Sequence, residues 1–215
     1  MASTLKDSYG KDSIVIIGCG GHSKNVIDAI QSKEEYIIEG ILDNKKNQTP
    51  IIDNIYIMGD DSLLGILRQR GLRNIALGFG NLNNRDFWRD FCIKIQNLNF
   101  EFPAIIHKSA IVSKDAKIGN GSQVLAGAII GPSVEIGECC IIGAGAVVSH
   151  DCIIGSYSDI TPGAILGGSV SIGEGSVIGM GATIYFGLSI GRKVTVNNGV
   201  RIFRNINDDE IIKVG

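Results

Sequence analysis

From Ile106 to Ile202 every sixth residue is aliphatic: all seventeen positions in that series hold Ile, Val or Leu. The residue after the aliphatic one is often glycine, as at Gly119, Gly131, Gly137, Gly143 and Gly155. Four places after it the side chain is usually small, as at Ala116, Ser122, Ala128 and Ala146. A period of six fits neither an α-helix nor a plain alternating strand. It fits short strands joined by corners, with one inward aliphatic side chain per side. Three sides close a coil of about 18 residues, and coils stack at the strand spacing of about 4.8 Å. Residues 104–205 therefore predict a parallel β-solenoid of about five coils.

The first part of the chain has a different rhythm. Ser13–Ile17 predicts a buried strand, and Val26, Ile27 and Ile30 follow at helical spacing with Ser23 as a candidate cap. Strands are predicted at 36–42, 55–58 and 74–79. Asp60 or Asp61 opens a helix that runs to Arg70 and stops at Gly71, and Phe87, Trp88, Phe91, Ile95 and Leu98 mark a third helix. Alternating strands and helices over residues 13–103 predict a small Rossmann-like parallel α/β sheet. Pro103 marks the junction. Residues 1–12 and 206–215 read as tails.

Composition agrees with a repetitive β structure: 29 Gly and 37 Ile in 215 residues, with only 6% aromatics. The net charge of −2 argues against a surface that coats nucleic acid. No apolar run is long enough for a membrane span, and the N-terminus lacks the apolar core of a signal peptide. Five cysteines in apolar stretches, without a C-x-x-C pair, point to reduced thiols in a cytoplasm. Three histidines far apart predict no metal site.

Two segments carry chemistry. After the first strand comes Gly18-Cys19-Gly20-Gly21-His22, a turn whose backbone N–H groups can face a phosphate. Asp43 closes the second strand, where an acid takes a ribose hydroxyl in dinucleotide folds. Ser23 stands where the G-x-G-x-x-G fingerprint needs its third glycine, which disfavours nicotinamide and an oxidoreductase. The expected ligand is a nucleotide without nicotinamide. In the solenoid, Ser149-His150-Asp151 places an imidazole two residues beyond the core position Val148, near a corner and outside the packed interior. A group titrating near neutrality suits a general base, and Asp151 is placed to orient it. Eighteen residues on is Gly168, whose backbone should stack on His150 and offer an N–H to an oxyanion. His107 reads as a surface or structural residue, and only two solenoid histidines exist, too few for a γ-carbonic-anhydrase-type metal site.

Taken together, GCGGH after the first strand, ILDN after the second, GFGNLNNR after the fourth, IIHKSA at the junction and SHDCIIG in the repeats resemble one family. It is the bacterial sugar acyltransferases of the left-handed β-helix type. They include the N-acetyltransferases of UDP-4-amino-4,6-dideoxy sugars and, nearby, sialic-acid O-acetyltransferases. The resemblance spans about residues 13 to 205. It implies acetyl-CoA as co-substrate, direct attack of a sugar amine on the thioester, and a cytoplasmic homotrimer with its active site between neighbouring solenoids. It implies His150 as base, Asp151 as its assisting carboxylate, often Glu in relatives, and Gly168 as the donor to the thioester carbonyl. Gly20, Gly21 and His22 would hold the nucleotide sugar, Asp43 and Asn44 its nucleoside, and Gly80 and Asn81 a further wall. Met180 and Asn198 would line the coenzyme A groove. Asp159 stands where relatives often carry a second histidine near coenzyme A. The chain stops at Lys213-Val214-Gly215, where relatives continue with a Pro-Ala-containing tail, so the resemblance implies a shortened C-terminus. An O-acetyltransferase acting on sialic acid or a related sugar is the alternative, and a non-catalytic scaffold or nucleotide-sugar sensor a further one.

Overall fold

In the computed structural model, residues 6, 8–10, 12–45, 51–80 and 85–213 are described. They fall into two units. One holds the residues up to Gly80 with Arg89–Pro103, and the other holds Trp88 with the residues from Ala104 onward.

The first unit is built on a four-stranded parallel sheet in the order β3-β2-β1-β4. Its strands are β1 (Ser13–Ile17), β2 (Ile37–Leu42), β3 (Ile57–Gly59) and β4 (Asn74–Leu77). The helices are α1 (Gly21–Lys33), α2 (Leu64–Gln69) and the part of α3 (Arg85–Asn97) from Arg89 onward. Every residue of β1 is buried, which explains its unbroken apolar run. The chain passes from β1 outward to β2 and later returns to the opposite side of β1 as β4. This reversal puts a crevice at the carboxyl ends of β1 and β4, the usual ligand position of open α/β sheets.

Two local expectations need correcting. Ser23 is not the cap of α1. The helix begins two residues earlier, with Gly20 at the cap position, and the buried Ser23 hydroxyl donates to the Gly20 carbonyl at 2.6 Å. Of the two acids expected to open the next helix, Asp60 does so, accepting from Ser62 N at 3.0 Å. Tyr9, read as part of a loose tail, is buried and its N–H donates to Arg70 O at 2.8 Å.

The second unit is a three-faced parallel solenoid. Its first face stacks Ile105–Ile106, Gln123–Val124, Ile141–Ile142, Asp159–Ile160, Val177–Ile178, Thr195–Val196 and Ile211–Ile212. The second stacks Ile111–Val112 through Val147–Val148 and Ile165–Leu166 to Arg201–Ile202. The third runs from Lys117–Ile118 through Ile153–Ile154 to Ser189–Ile190. Partners are 18 residues apart through the body of the solenoid, as the period requires. The second residue of each strand joins one continuous apolar core that includes Val124, Ile142, Val148, Leu166, Ile178 and Ile202. The pairing of Ile211–Ile212 with Thr195–Val196 carries the solenoid into the segment expected as a tail. Trp88 is buried, and its indole N–H donates to Cys139 O at 3.0 Å.

Small inward side chains hold one corner. Ser122, Cys140, Ser158 and Ser176 stack one above another and donate to the carbonyls of Gly137, Gly155, Gly173 and Gly191. Three of them also accept from the next coil: Cys140 N, Ser176 N and Val194 N bond to the hydroxyls below. Burial pushes the Cys140 thiol up to about 12, so it stays a thiol and serves the ladder as a donor. Ser176→Ala strands Gly191 O and Val194 N in a dry interior. It is expected to lower stability by about 1–3 kcal/mol, read as a shift in the denaturant midpoint.

Candidate functional site

In the first unit the glycine-rich turn sits between β1 and α1. Its glycines are of two kinds. Gly18 has φ +95, and a Cβ there would press on Phe79, so the fold itself requires a glycine. Gly20 and Gly21 have no such need: a Cβ on either would meet nothing within 4 Å, and neither lies in the left-handed region. The same holds for Gly80, just beyond β4. These three positions keep backbone bare toward open space at the crevice. The N-terminus of α1 is there too, with no side chain capping it. Bare backbone beside uncapped helical N–H groups suits a phosphate. His22 lies in the first turn of α1. Asn81 lies outside the described residues.

Asp43 follows β2 and already has work to do. Its two oxygens accept from Cys19 N and Lys45 N, each at 2.8 Å. Burial pushes its carboxyl up, but the amide bonds from Lys45 and Cys19 outweigh that and hold it below the usual range. The anion therefore pins the glycine turn to the end of β2. Asn44 is exposed beside it.

In the second unit His150, Asp151 and Gly168 meet at the corner between the second and third faces. His150 Nδ1 lies 2.7 Å from Asp151 Oδ2, and the two side chains are 63% and 57% exposed. An ionised carboxylate only accepts, so Nδ1 carries the proton and donates it. The lone pair is then on Nε2, the proton-accepting atom of a base. Asp151 reaches this pose from a left-handed backbone conformation, φ 60. Directly above, Gly168 leaves room for the ring: a Cβ there would collide with Nε2 and with Cε1, the latter at 2.5 Å. Ser169 N donates to His150 O at 2.9 Å and locks the two coils together. The stacking expected from an 18-residue coil is thus met atom by atom.

Met180 and Asn198 stack on each other at a different corner, between the first and second faces, where Met180 N donates to Asn198 Oδ1 at 2.8 Å. Asp159 belongs to neither corner. It lies in the first face between Ile141 and Val177 and is only 4% exposed, whereas a ligand-facing group was expected. The reason is that the outward row Gln123, Ile141, Asp159 and Val177 is buried along its length. Burial pushes the Asp159 carboxyl up to about 7. Between about pH 4 and 7 the folded protein keeps this proton while the unfolded chain has lost it, so stability falls as pH rises across that window. Above it both states are ionised and the cost stays constant. Asp159→Asn is expected to remove this slope, seen as melting temperatures that diverge from the parent as pH is raised from 4 to 7.

Sequence reasoning missed one feature of the corner. Tyr185, Phe186 and Phe203 are exposed and touch one another, with ring centroids 4.4 Å apart for Tyr185–Phe186 and 5.8 Å for Tyr185–Phe203. Phe186 is 18 residues beyond Gly168, so the coil count that found Gly168 also finds Phe186. His107 engages Ser109, whose N–H donates to Nδ1 at 3.0 Å within a local turn. No group of three His, Cys, Asp or Glu among the described residues is arranged to hold a metal. No helix among them is long and apolar enough to cross a membrane.

Comparison with known proteins covers both units. Residues 13–88 match the PglD N-terminal domain, and residues 115–150 and 133–168 match the bacterial transferase hexapeptide (six repeats). No curated protein matches by sequence. Among solved structures, PerB from Caulobacter crescentus, in complex with CoA and GDP-perosamine, is 32% identical, with 94% of each chain covered and a TM-score of 0.86. The acetyltransferase domain of PglB from Neisseria gonorrhoeae FA1090, in complex with acetyl coenzyme A, is 31% identical over 94% of this chain and 96% of that one, with a TM-score of 0.87. WeeI from Acinetobacter baumannii AYE shares the fold at 14% identity, with a TM-score of 0.67.

Proposed function

The chain belongs to the sugar N-acetyltransferases of the left-handed β-helix type, and from that premise we propose that it acetylates the 4-amino group of a nucleotide-linked 4-amino-4,6-dideoxy sugar; the preference for a UDP-linked one rests on the sequence motifs alone, since the sugar nucleotide bound to PerB is GDP-linked. It is an acyltransferase, and acetyl-CoA is its co-substrate. The observation that carries the site assignment is the fit of the His150 ring over Gly168, with Asp151 behind it.

In this reading the sugar amine, neutral at the moment of reaction, attacks the carbonyl carbon of the thioester. A C–N bond forms and the C–S bond breaks. Nε2 of His150 takes a proton from the nitrogen, and the departing coenzyme A thiolate recovers one. Asp151 holds Nδ1–H and stabilises the charged ring. Gly168 N–H receives the negative charge that builds on the carbonyl oxygen. Cys152 takes no part: it is buried, and its thiol donates to Gly167 O at 3.2 Å. Gly20, Gly21, His22 and Gly80 hold the nucleotide sugar with Asn44 and Asn81, and Asp43 orders the turn that does so. Met180 and Asn198 line the coenzyme groove. Asp159, closed off in its row, acts on that groove only through the shape of the sheet.

His150 and the Met180–Asn198 pair border opposite edges of the same face, so one chain supplies only part of the groove. A homotrimer in which neighbouring solenoids complete each other's sites satisfies this. The second face offers Ile111, Ile129 and Ile165 as exposed apolar side chains for such packing. We place this assembly in the cytoplasm, alongside its coenzyme and the reduced cysteines.

The test is coenzyme A release from acetyl-CoA, followed by mass spectrometry, over UDP-, dTDP- and GDP-linked 4-amino sugars and free sialic acid. Turnover on the UDP-linked amine, with an amide product, supports the proposal. Turnover on sialic acid alone, with an ester product, replaces it with O-acetylation.

A further inference from the structure

Some corner amides two residues beyond a core position are taken by a side chain of the following coil. Where the residue one coil further on has a short polar side chain, that side chain takes the N–H, whereas the longer Glu138 and Glu174 do not bond Asn120 N and Ser156 N. Glu138 N donates to Ser156 Oγ at 3.1 Å, and Met180 N to Asn198 Oδ1 at 2.8 Å. In the shorter last coil Arg192 N donates to Asp208 Oδ1 at 2.7 Å. Such an amide is occupied and can serve no ligand.

Gly168 stands at the same place, two beyond the core residue Leu166. The residue one coil further on is Phe186, which has no acceptor. Among the described residues nothing accepts from Gly168 N–H, although Gly167 N and Ser169 N on either side are both bonded, to Ile184 O and His150 O. Phe186 is well placed to matter. Its backbone lies against Gly167, where a Cβ would meet Phe186 N at 2.7 Å and Cα at 2.9 Å. Gly187 N donates to Gly168 O at 2.9 Å, which fixes the spacing of the two coils. The ring is 61% exposed and rests on Tyr185, which in turn touches Phe203. Of the four aromatic residues beyond position 104, three are spent at this corner. In a solenoid built almost wholly of aliphatic and small side chains, an exposed aromatic residue one coil above an open amide beside the His150 ring calls for a reason.

We propose that Phe186 is a positioning residue for acyl transfer: by standing above Gly168 with a side chain that cannot accept a hydrogen bond, it keeps the Gly168 N–H open for the thioester oxygen. The inference rests on the reading of Gly168 as the oxyanion donor. It adds that the openness of that donor is set by the residue one coil away.

Two substitutions separate the chemistry of the side chain from its bulk. Phe186→Asn supplies the acceptor that Asn198 supplies to Met180 N. Phe186→Leu removes the ring but adds no acceptor. Donors of this kind contribute about a hundredfold to a thousandfold to kcat. Phe186→Asn is therefore expected to fall about a hundredfold below Phe186→Leu in kcat, with a smaller change in KM for acetyl-CoA and no loss of melting temperature relative to Leu. The second readout needs no substrate: the Gly168 amide should exchange with deuterium more slowly in Phe186→Asn than in the parent or in Phe186→Leu. Equal kcat in the two variants with a protected amide overturns the proposal, and so does an amide left unprotected by Asn. If the parent chain transfers no acyl group to any acceptor, the reading of Gly168 fails, while the exchange comparison still decides whether residue 186 governs the amide.

Discussion

Gly168→Ala is expected to abolish nearly all acetyl transfer while leaving the protein folded. The added methyl group would occupy the space now filled by the edge of the His150 imidazole, at Nε2 and Cε1. Something must move, and the ring is the freest element: His150 is 63% exposed at its side chain and, among the described residues, hydrogen-bonded through its ring to Asp151 alone. The backbone of Gly168 is outside the left-handed region, so alanine brings no conformational strain of its own. The cost therefore falls on the geometry of the base and not on the solenoid. A base swung out of reach loses about a hundredfold or more in kcat. Steady-state coenzyme A release together with a thermal melt checks this. A melting temperature near the parent's with kcat reduced about a hundredfold is the expected pair of results. A variant that keeps full kcat shows that the ring over Gly168 is not the working conformation.

His150→Ala is expected to lower kcat by about a hundredfold to ten-thousandfold, the range for loss of a positioned general base. Binding of acetyl-CoA, measured by calorimetry, should change little, because the imidazole acts on the amine and not on the coenzyme. Unlike Gly168→Ala, this substitution removes a group without adding one. The two variants combined should therefore be little worse than the more damaging single one, since both disable the same proton transfer. Additive losses would mean that Gly168 and His150 contribute through separate steps.

How much of this was visible in the chain itself depends on which interactions repeat. The solenoid was visible because its core position recurs every six residues, and three such steps return to the same corner. That arithmetic sets Gly168 above His150 and, carried one coil further, Phe186 above Gly168. The rings were overlooked because a low aromatic content reads as an absence, not as a place. Asp159 shows the limit of periodicity. Alternation says that it points away from Ile160 and the core, but not that its outward row is covered. The role of Asp43 was hidden for another reason. Its bond to Cys19 N crosses 24 residues and depends on the pairing of β1 with β2, which no local pattern states. Ser23 misled because a serine at a helix start is usually a cap, whereas here the glycine turn lets the helix begin at Gly21.

The assignment of acetyl transfer to the His150–Gly168 corner is tested most directly by a crystal structure with coenzyme A and the amino-sugar nucleotide both bound. The account predicts the coenzyme thiol beside Gly168 N–H and the sugar amine about 3 Å from His150 Nε2. A thiol bound at a corner without histidine, or an amine out of reach of Nε2, would contradict it.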